Sequence, residues 1–563
     1  MSKSQQEASR SDGPGHLFIT RGDVTNIQCD AWLLPTDRAR KVEPGWLKGV
    51  TWLKECLEAL GAQGDEATPS CVGLDDLSVQ AGGGLGRRTP YLTDVVHERG
   101  AGAEQPADGV RTFVHAATFA LADPVGSSSR ETDHAKTQRE RPLLAVPLVG
   151  TGKGGWGRKK GEATEKLVRQ LLELVTSPGS ADIVLVLGKE EAFAAAQLAR
   201  RRCVRNGDVG IASGLPERTL EQIEQLASRV RSGKLVVFMG AGLGMSSGLP
   251  SWTELLGLLS KEVNPQLPAG AEEGMPPLDR AWLVEERLRT DPDSRHGSLG
   301  SLVKETLPED AAPSLNHYLI ASLPVDELVT TNYDDLFEQA SNAVLARHDG
   351  TKKIKEITDE PPGDGRWILK LHGSVKKPED IVLSRNDYLD YSSRRAALAG
   401  VVQAVLLTRH MLFVGFSMSD DNFLKIAHDV RQAIGERQGD EAAVGTALAI
   451  NIRPYMQELW SGFINLVDMG EDELGARELE IFLDVLLSES DASISYLYNP
   501  TFEGLLNDQD RVVRDSLETA AKLIQEAGAW GNPAGSMFEE LLEGLGRKPS
   551  SSPREPASPD TLS

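Results

Sequence analysis

The sequence predicts an α/β protein made of two successive strand–helix units and a short helical end. Short apolar runs of buried-strand type alternate with helical stretches from His16 to about Arg205, and the same alternation restarts at Lys234 and runs to about Val485. A chain of 563 residues is too long for one hydrophobic core. Its 40% hydrophobic and 25% charged residues are ordinary for globular protein.

Taken in order, residues 1–15 are polar, read as disordered, and lack the apolar core of a signal peptide. In the first unit, residues 16–210, the runs HLFIT, AWLLP, FVHAA, LLAVPLVG and IVLVLG are predicted strands. Two polar inserts, near Gly61–Thr89 and Ser127–Arg141, read as loops. Residues 211–233 form a linker whose polar segment Pro216–Ser232 is a helix. The second unit, residues 234–488, has KLVVFMG, ELVTTN, WILKLHG, MLFVGF, TALAINI and INLVDM as strands of a doubly wound parallel sheet. Its span Leu255–Leu323 is mainly helical in composition and is expected to form a small lid. Residues 489–546 contain short helices, expected to pack on the second unit, and 547–563 read as a disordered tail.

Composition narrows the function. The formal charge of -23 argues against broad nucleic-acid binding, which needs a basic surface, but leaves room for a local dinucleotide pocket. No stretch approaches the roughly 20 apolar residues that span a bilayer. The four cysteines, Cys29, Cys56, Cys71 and Cys203, are scattered and fit neither a disulfide framework nor paired zinc ligands. The expectation is a cytoplasmic protein without a metal.

The chemistry-bearing motifs lie in the second unit. Strand Lys234–Met239 runs directly into Gly240-Ala241-Gly242, followed by Leu243, Gly244, Met245 and Ser246. Small residues there let a backbone approach a pyrophosphate, and amides there can donate to it. Ser251-x-x-Glu254 ahead of Leu255 is a capping box that starts a helix at Trp252. Met245 stands where the third glycine of the dinucleotide fingerprint belongs, so by itself the turn reads equally as a ligand-free strand-to-helix turn. Three further motifs come after predicted strands: Thr331-Asn332-Tyr333-Asp334, Leu371-His372-Gly373 and Gly415-Phe416-Ser417. Singly, an Asn-x-Asp is more often a helix cap, and a strand-end histidine more often structural.

Together, and in this order, they resemble the sirtuin family. GAGLGMSSGLPSW is similar to the signature GAGxSxxxGIPxF, and closer to a bacterial branch reading GAGxSxxSGLPSW. TTNYDD resembles QNxD, LKLHGS resembles the LHG motif of the catalytic histidine, and VGFSMSD looks like the GxS loop that holds ribose and phosphate. The resemblance covers less than half the chain. It implies a Rossmann-like sheet with NAD as substrate, bound by Gly240, Ala241, Gly242, Ser246, Trp252, Thr331, Gly415 and Ser417. Cleaving the nicotinamide–ribose bond builds positive charge at the anomeric carbon. Asn332 is then expected to orient the ribose or a water, Asp334 to support the cation, and His372 to accept a proton.

The deacylases of that family carry a four-cysteine zinc module, and every cysteine here precedes Lys234. The zinc-free branch, associated with bacterial antiphage defence, hydrolyses NAD to ADP-ribose and nicotinamide. An ADP-ribosyltransferase or deacylase, and a non-enzymatic NAD or ADP-ribose sensor, remain alternatives. Related effectors imply a homo-oligomer or a partner protein.

In the first unit, ITRGDVTNIQCDA resembles the opening of macro domains, a three-layer α/β fold, with Asp23 at the adenine-reading aspartate. The run from Gly150 through Thr151, Gly152 and Gly154 resembles the macro loop that wraps the diphosphate and distal ribose. Trp32–Asp37 replaces the family's VNAAN, so hydrolase activity is not expected there. An ADP-ribose-like signal controlling the second unit is the functional reading. A domain that only mediates assembly, with Asp23 capping a turn, is the structural one.

Overall fold

The computed structural model describes residues 13–36, 42–43, 46, 71–73, 88–95, 105–122, 139–150, 157–177, 179–206, 215–263, 274–291, 294–346, 353–359, 363, 365–435 and 443–547. It is a mixed α/β molecule with two sheets.

The N-terminal sheet comprises β1 (Leu17–Arg21), β2 (Ala31–Thr36), β3 (Cys71–Gly73), β4 (Thr89–Asp94), β5 (Leu143–Pro147) and β6 (Asp182–Leu187), with α1 (Gln105–Ala122), α2 (Lys160–Val175) and α3 (Glu190–Arg205). Its strand order is β1-β6-β5-β2-β4-β3. Only the short β3 pairs antiparallel, with β4. Buried β5 and β6 read as continuous apolar runs, as interior parallel strands do. FVHAA is not a strand: it lies within α1. Val110, Phe113, Val114 and Ala117 are buried, at the i, i+3, i+4, i+7 spacing of one helical face. The strand in its place is β4, whose run begins where a polar insert was expected to end. Another part of that insert, β3, is also a strand.

Residues 13–15, expected to be disordered, are held in place: the Gly15 amide donates to the Val175 carbonyl (2.8 Å), and Gly179 N–H donates to the Gly13 carbonyl (3.1 Å). The connecting helix, α4 (Glu217–Arg231), buries Ile223, Leu226, Ala227 and Val230. It is amphipathic and packed, rather than a free tether.

The second sheet contains β7 (Leu235–Met239), β8 (Glu327–Thr330), β9 (Lys355–Glu356), β10 (Trp367–Lys370), β11 (His410–Val414), β12 (Gly445–Ala449) and β13 (Ile464–Asp468). All its pairings are parallel, in the order β13-β12-β11-β7-β8-β10-β9. After β7 the chain moves to β8 on one side and later to β11 on the other. Motif loops at the carboxyl ends of β7, β8, β10 and β11 therefore meet at a topological switch point.

The helices of this half are α5 (Gly242–Met245), α6 (Trp252–Lys261), α7 (Pro277–Thr290), α8 (Leu299–Thr306), α9 (Leu315–Ser322), α10 (Leu336–Ala346), α11 (Arg385–Arg394), α12 (Ala396–Thr408), α13 (Asp421–Ile434), α14 (Pro454–Trp460) and α15 (Asp472–Ser490). The predicted capping box opens α6: Ser251 accepts from Glu254 N–H, and the Glu254 carboxylate accepts from Ser251 N–H. Helices α6, α7 and α8 form the helical module, with a core of their own (Leu255, Leu256, Val284, Leu302) that Tyr333 and Leu383 join.

One continuous apolar core spans both sheets, from Phe18 and Phe193 through Tyr318 and Leu319 to Phe482 and Leu486. The chain beyond α15 returns to the N-terminal half, not the second unit. Phe502 and Leu505 pack against Gly161 of α2, and Arg202 donates to the Leu505 carbonyl (2.8 Å). The reason is the course of α15, which carries the chain across the interface before releasing it. The expected C-terminal helices come next as α16 (Asp508–Glu526) and α17 (Pro533–Gly544). No helix of the described residues is long and apolar enough to cross a membrane.

Candidate functional site

A cleft of about 1170 Å³ opens over the carboxyl ends of the second sheet. That exceeds the several hundred Å³ of a typical small-ligand pocket and suits a dinucleotide. Its walls bring together Ala241, Gly242, Ser246, Trp252, Thr331, Asn332, Asp334, His372, Gly415 and Ser417, ten of the residues singled out by sequence. Gly240 lies just beneath: its carbonyl accepts from the Asn332 amide (3.1 Å).

At the glycine turn, β7 and β11 end side by side. A Cβ on Gly240 would lie 2.5 Å from the Gly415 carbonyl oxygen, which explains glycine there. The expected free amides are largely absent. Gly240 N–H donates to Val414, Gly242 N–H to Gly415, Leu243 N–H to Gly240 and Gly244 N–H to Ala241. The turn thus offers close approach more than a ring of donors.

The Asn332 amide nitrogen is anchored on that turn, while its carbonyl oxygen is buried without a hydrogen-bond partner. Such an acceptor in a cleft is ready for a ligand hydroxyl or a water. Asp334 caps α10 through a bond from Leu336 N–H (3.0 Å) while also lining the cleft. Burial raises its pKa, and the nearby Lys370 cation opposes that rise. Lys370 is itself held by Glu338 (2.8 Å) and the Asp334 carbonyl.

His372 follows β10, in a turn that Gly373 closes with φ of 84°. Its Nε2 is buried without a hydrogen bond and lies 3.6 Å from Asp420 Oδ2. Burial lowers its pKa, against the pull of Asp420, so the ring is held in its neutral, proton-accepting form. Asp420 accepts from Phe423 N–H (2.9 Å) as the cap of α13 and from the Tyr388 hydroxyl (2.7 Å). The His372 ring also lies edge-on to Tyr388 and Tyr391.

Sequence reading missed Asp420, Tyr388, Asn316, Asn451 and Asp472, all of which line the cleft. Asn316 is nine-tenths buried with an unpartnered side-chain oxygen. Among the described residues, Met418, Asn451 and Asp472 are the non-glycine residues at positive φ (59°, 59° and 52°), and all three face this cleft. Asn451 and Asp472 bond each other reciprocally at 3.3 Å. Strained backbone gathered at one cavity is a mark of function. Asp420 was within reach, since a carboxylate capping a helix after a GxS loop is a local signal. The others depend on chain crossings far apart in sequence.

Asp23 and Gly150 lie outside this cleft. Asp23 Oδ1 accepts from Thr25 N–H (3.0 Å) and Thr25 Oγ1 (2.8 Å), which is the turn-capping arrangement. Gly150 takes φ of 76° at the start of its loop; Thr151, Gly152 and Gly154 lie outside the described residues.

A family model for the SIR2-like domain matches residues 326–457, which include Asn332, Asp334, His372, Asp420 and Asn451. The chain contains a SIR2-like domain. The chain is 30% identical over 217 residues to the NAD(+) hydrolase ThsA of Enterococcus faecium, covering 38% of this chain and 44% of that protein. It is 28% identical over 211 residues to the NAD(+) hydrolase ThsA of Bacillus cereus (38% and 43%). To the defense-associated sirtuin 2 of Bacillus subtilis it is 24% identical over 233 residues (39% and 21%). The chain thus spans less than half the length of these relatives. Among solved structures, the Oceanobacillus iheyensis macrodomain with ADP aligns over 35% of this chain and 95% of its own, at 14% identity and a TM-score of 0.25.

Proposed function

We propose that the SIR2-like domain hydrolyses NAD to ADP-ribose and nicotinamide. The observation that carries this reading is the convergence of Asn332, Asp334 and His372 with the glycine turn in one dinucleotide-sized cleft. In this mechanism the buried Asn332 oxygen accepts from a ribose hydroxyl or the attacking water. The neutral His372 ring takes up the proton that the nucleophile releases. Asp334 supports the positive charge that develops as nicotinamide leaves. Trp252, at the first turn of α6, shields the nicotinamide end. The names of the relatives support the same chemistry, and the cysteines, all before Lys234, leave this domain without the zinc module of the deacylases.

On this reading the protein is a cytoplasmic antiphage effector, a homo-oligomer or one working with a partner protein. An ADP-ribose-like nucleotide, held by Asp23 and the loop from Gly150, controls it. The apolar core that the N-terminal sheet shares with the second half supports such control.

The test is NAD consumption by the purified protein beside its His372→Ala variant, with both products quantified, with and without ADP-ribose-related nucleotides. Equal release of nicotinamide and ADP-ribose, lost in the variant, is the expected result. Label from NAD retained on protein would instead favour an ADP-ribosyltransferase. Binding without turnover under every condition would favour a sensor.

A further inference from the structure

Two helices that wall the cleft are gripped by the N-terminal sheet. On α9, Asn316 faces the cleft, while Ser322 Oγ accepts from Arg21 N–H (3.0 Å) and Tyr318 donates to the Asn26 carbonyl (3.2 Å). On α15, Asp472, Glu473 and Ala476 face the cleft. Further along, Asp484 is fully buried against His16 Nε2 (2.8 Å), Arg200 (2.7 Å) and Ile19 N–H (3.2 Å). Arg477 and Glu480 do both: they line the cleft and reach the N-terminal sheet.

Both meet Arg139, just ahead of β5, Glu480 directly and Arg477 through the shared Asp182; among the described residues, Arg139 is the one from the first half of the chain that itself lines the cleft. Arg139 donates to Glu480 and to Asp182 (3.1 Å), and Arg477 clasps the same Asp182 with two bonds (2.9 and 3.0 Å). This wall carries three acids, Asp472, Glu473 and Glu480, against the cations Arg139 and Arg477. A dianionic pyrophosphate tolerates such a wall only while the cations stay in place.

We infer that Arg139 is a substrate-positioning residue that the N-terminal sheet supplies to the cleft of the SIR2-like domain, fixing the pocket face of α15 and offsetting part of the acidic charge of its wall. The inference rests on reading the cleft as the NAD site. It means that the first half of the chain is part of the substrate pocket as well as an attachment to it.

The experiment is calorimetric NAD binding by the full chain in a His372→Ala background, where turnover does not intrude. Arg139→Met is expected to weaken binding about tenfold, the size of one lost charged contact. Arg139→Lys, which keeps the cation, is expected to recover most of it. Where Arg139→Met does not fold, Arg139→Gln keeps donors for both carboxylates, drops the charge, and is expected to weaken binding in the same direction. Unchanged NAD affinity in these variants, even with a lowered melting temperature, would overturn the inference. A His372→Ala parent that fails to bind NAD at all would overturn both this inference and the NAD reading beneath it.

Discussion

His372 and Asp420 define the chemistry at the residue scale. The imidazole is buried, faces a carboxylate at 3.6 Å, and keeps Nε2 without a hydrogen bond. Replacing it by alanine is expected to lower NAD cleavage by about 10²- to 10⁴-fold, the usual worth of a positioned base, read as the rate of nicotinamide release. The pH profile tests the same group. Burial holds the His372 pKa below its ordinary value near 6.5, and Asp420 pulls it upward. The base form is therefore present at neutrality and is lost as pH falls through the lowered value. Asp420→Asn removes the upward pull while keeping a cap for α13, so the acid limb of kcat/KM is expected to move to lower pH. An unmoved limb would mean that another group titrates.

Elements deliver these residues by a simple geometric rule: parallel strands end on one edge, and the loops leaving those ends open into one cleft. The close crossing of β7 and β11 depends on glycine. Gly240→Ala places a methyl against the Gly415 carbonyl and is expected to destabilise the protein by about 1–3 kcal/mol. NAD affinity should fall with it, since the Asn332 amide is anchored on the same Gly240 residue's carbonyl. Denaturant titration beside a binding isotherm would check both; intact stability would mean that the crossing has more room than the geometry indicates. The segment FVHAA, a helix where a strand is expected, belongs to this scale too. Four apolar or small residues about a single histidine fit a strand or a helix, and the longer spacing from Val110 to Ala117 decides for a helix.

At the scale of the whole molecule, the two sheets share one core and a buried ionic set along α15. Thermal unfolding is expected as one cooperative transition, and a scan with two separated transitions would contradict that. Asp484→Ala would leave Arg200 and its guanidinium buried without a carboxylate, with an expected loss of about 3–5 kcal/mol, read from denaturant unfolding. Burial works against the Asp484 and Asp182 carboxylates, but their cationic partners outweigh it and hold both pKa values down. Their stabilisation is present above the ordinary carboxylate pKa near 4 and is lost as pH falls through the lowered values. Glu480 has the opposite shift, raised by burial despite Arg139, so its ionisation opposes stability as pH rises past the ordinary range.

The sequence by itself determined the α/β class, six of the seven strands of the second sheet (all but the short β9), the capping box at Ser251, and the loops that carry Asn332, His372 and Gly415. These are local properties: apolar runs set strands, small residues set tight turns, and a cap is read within four residues. Tertiary structure alone decided that Asp420 faces His372, that Asn316 opens into the cleft, and that Arg139 reaches it from the other half of the chain. It also decided that the C-terminal segment packs on α2. Such pairings join residues tens to hundreds of positions apart, and no periodicity encodes them. They arise from how strand order and helix crossings fold back on one shared core.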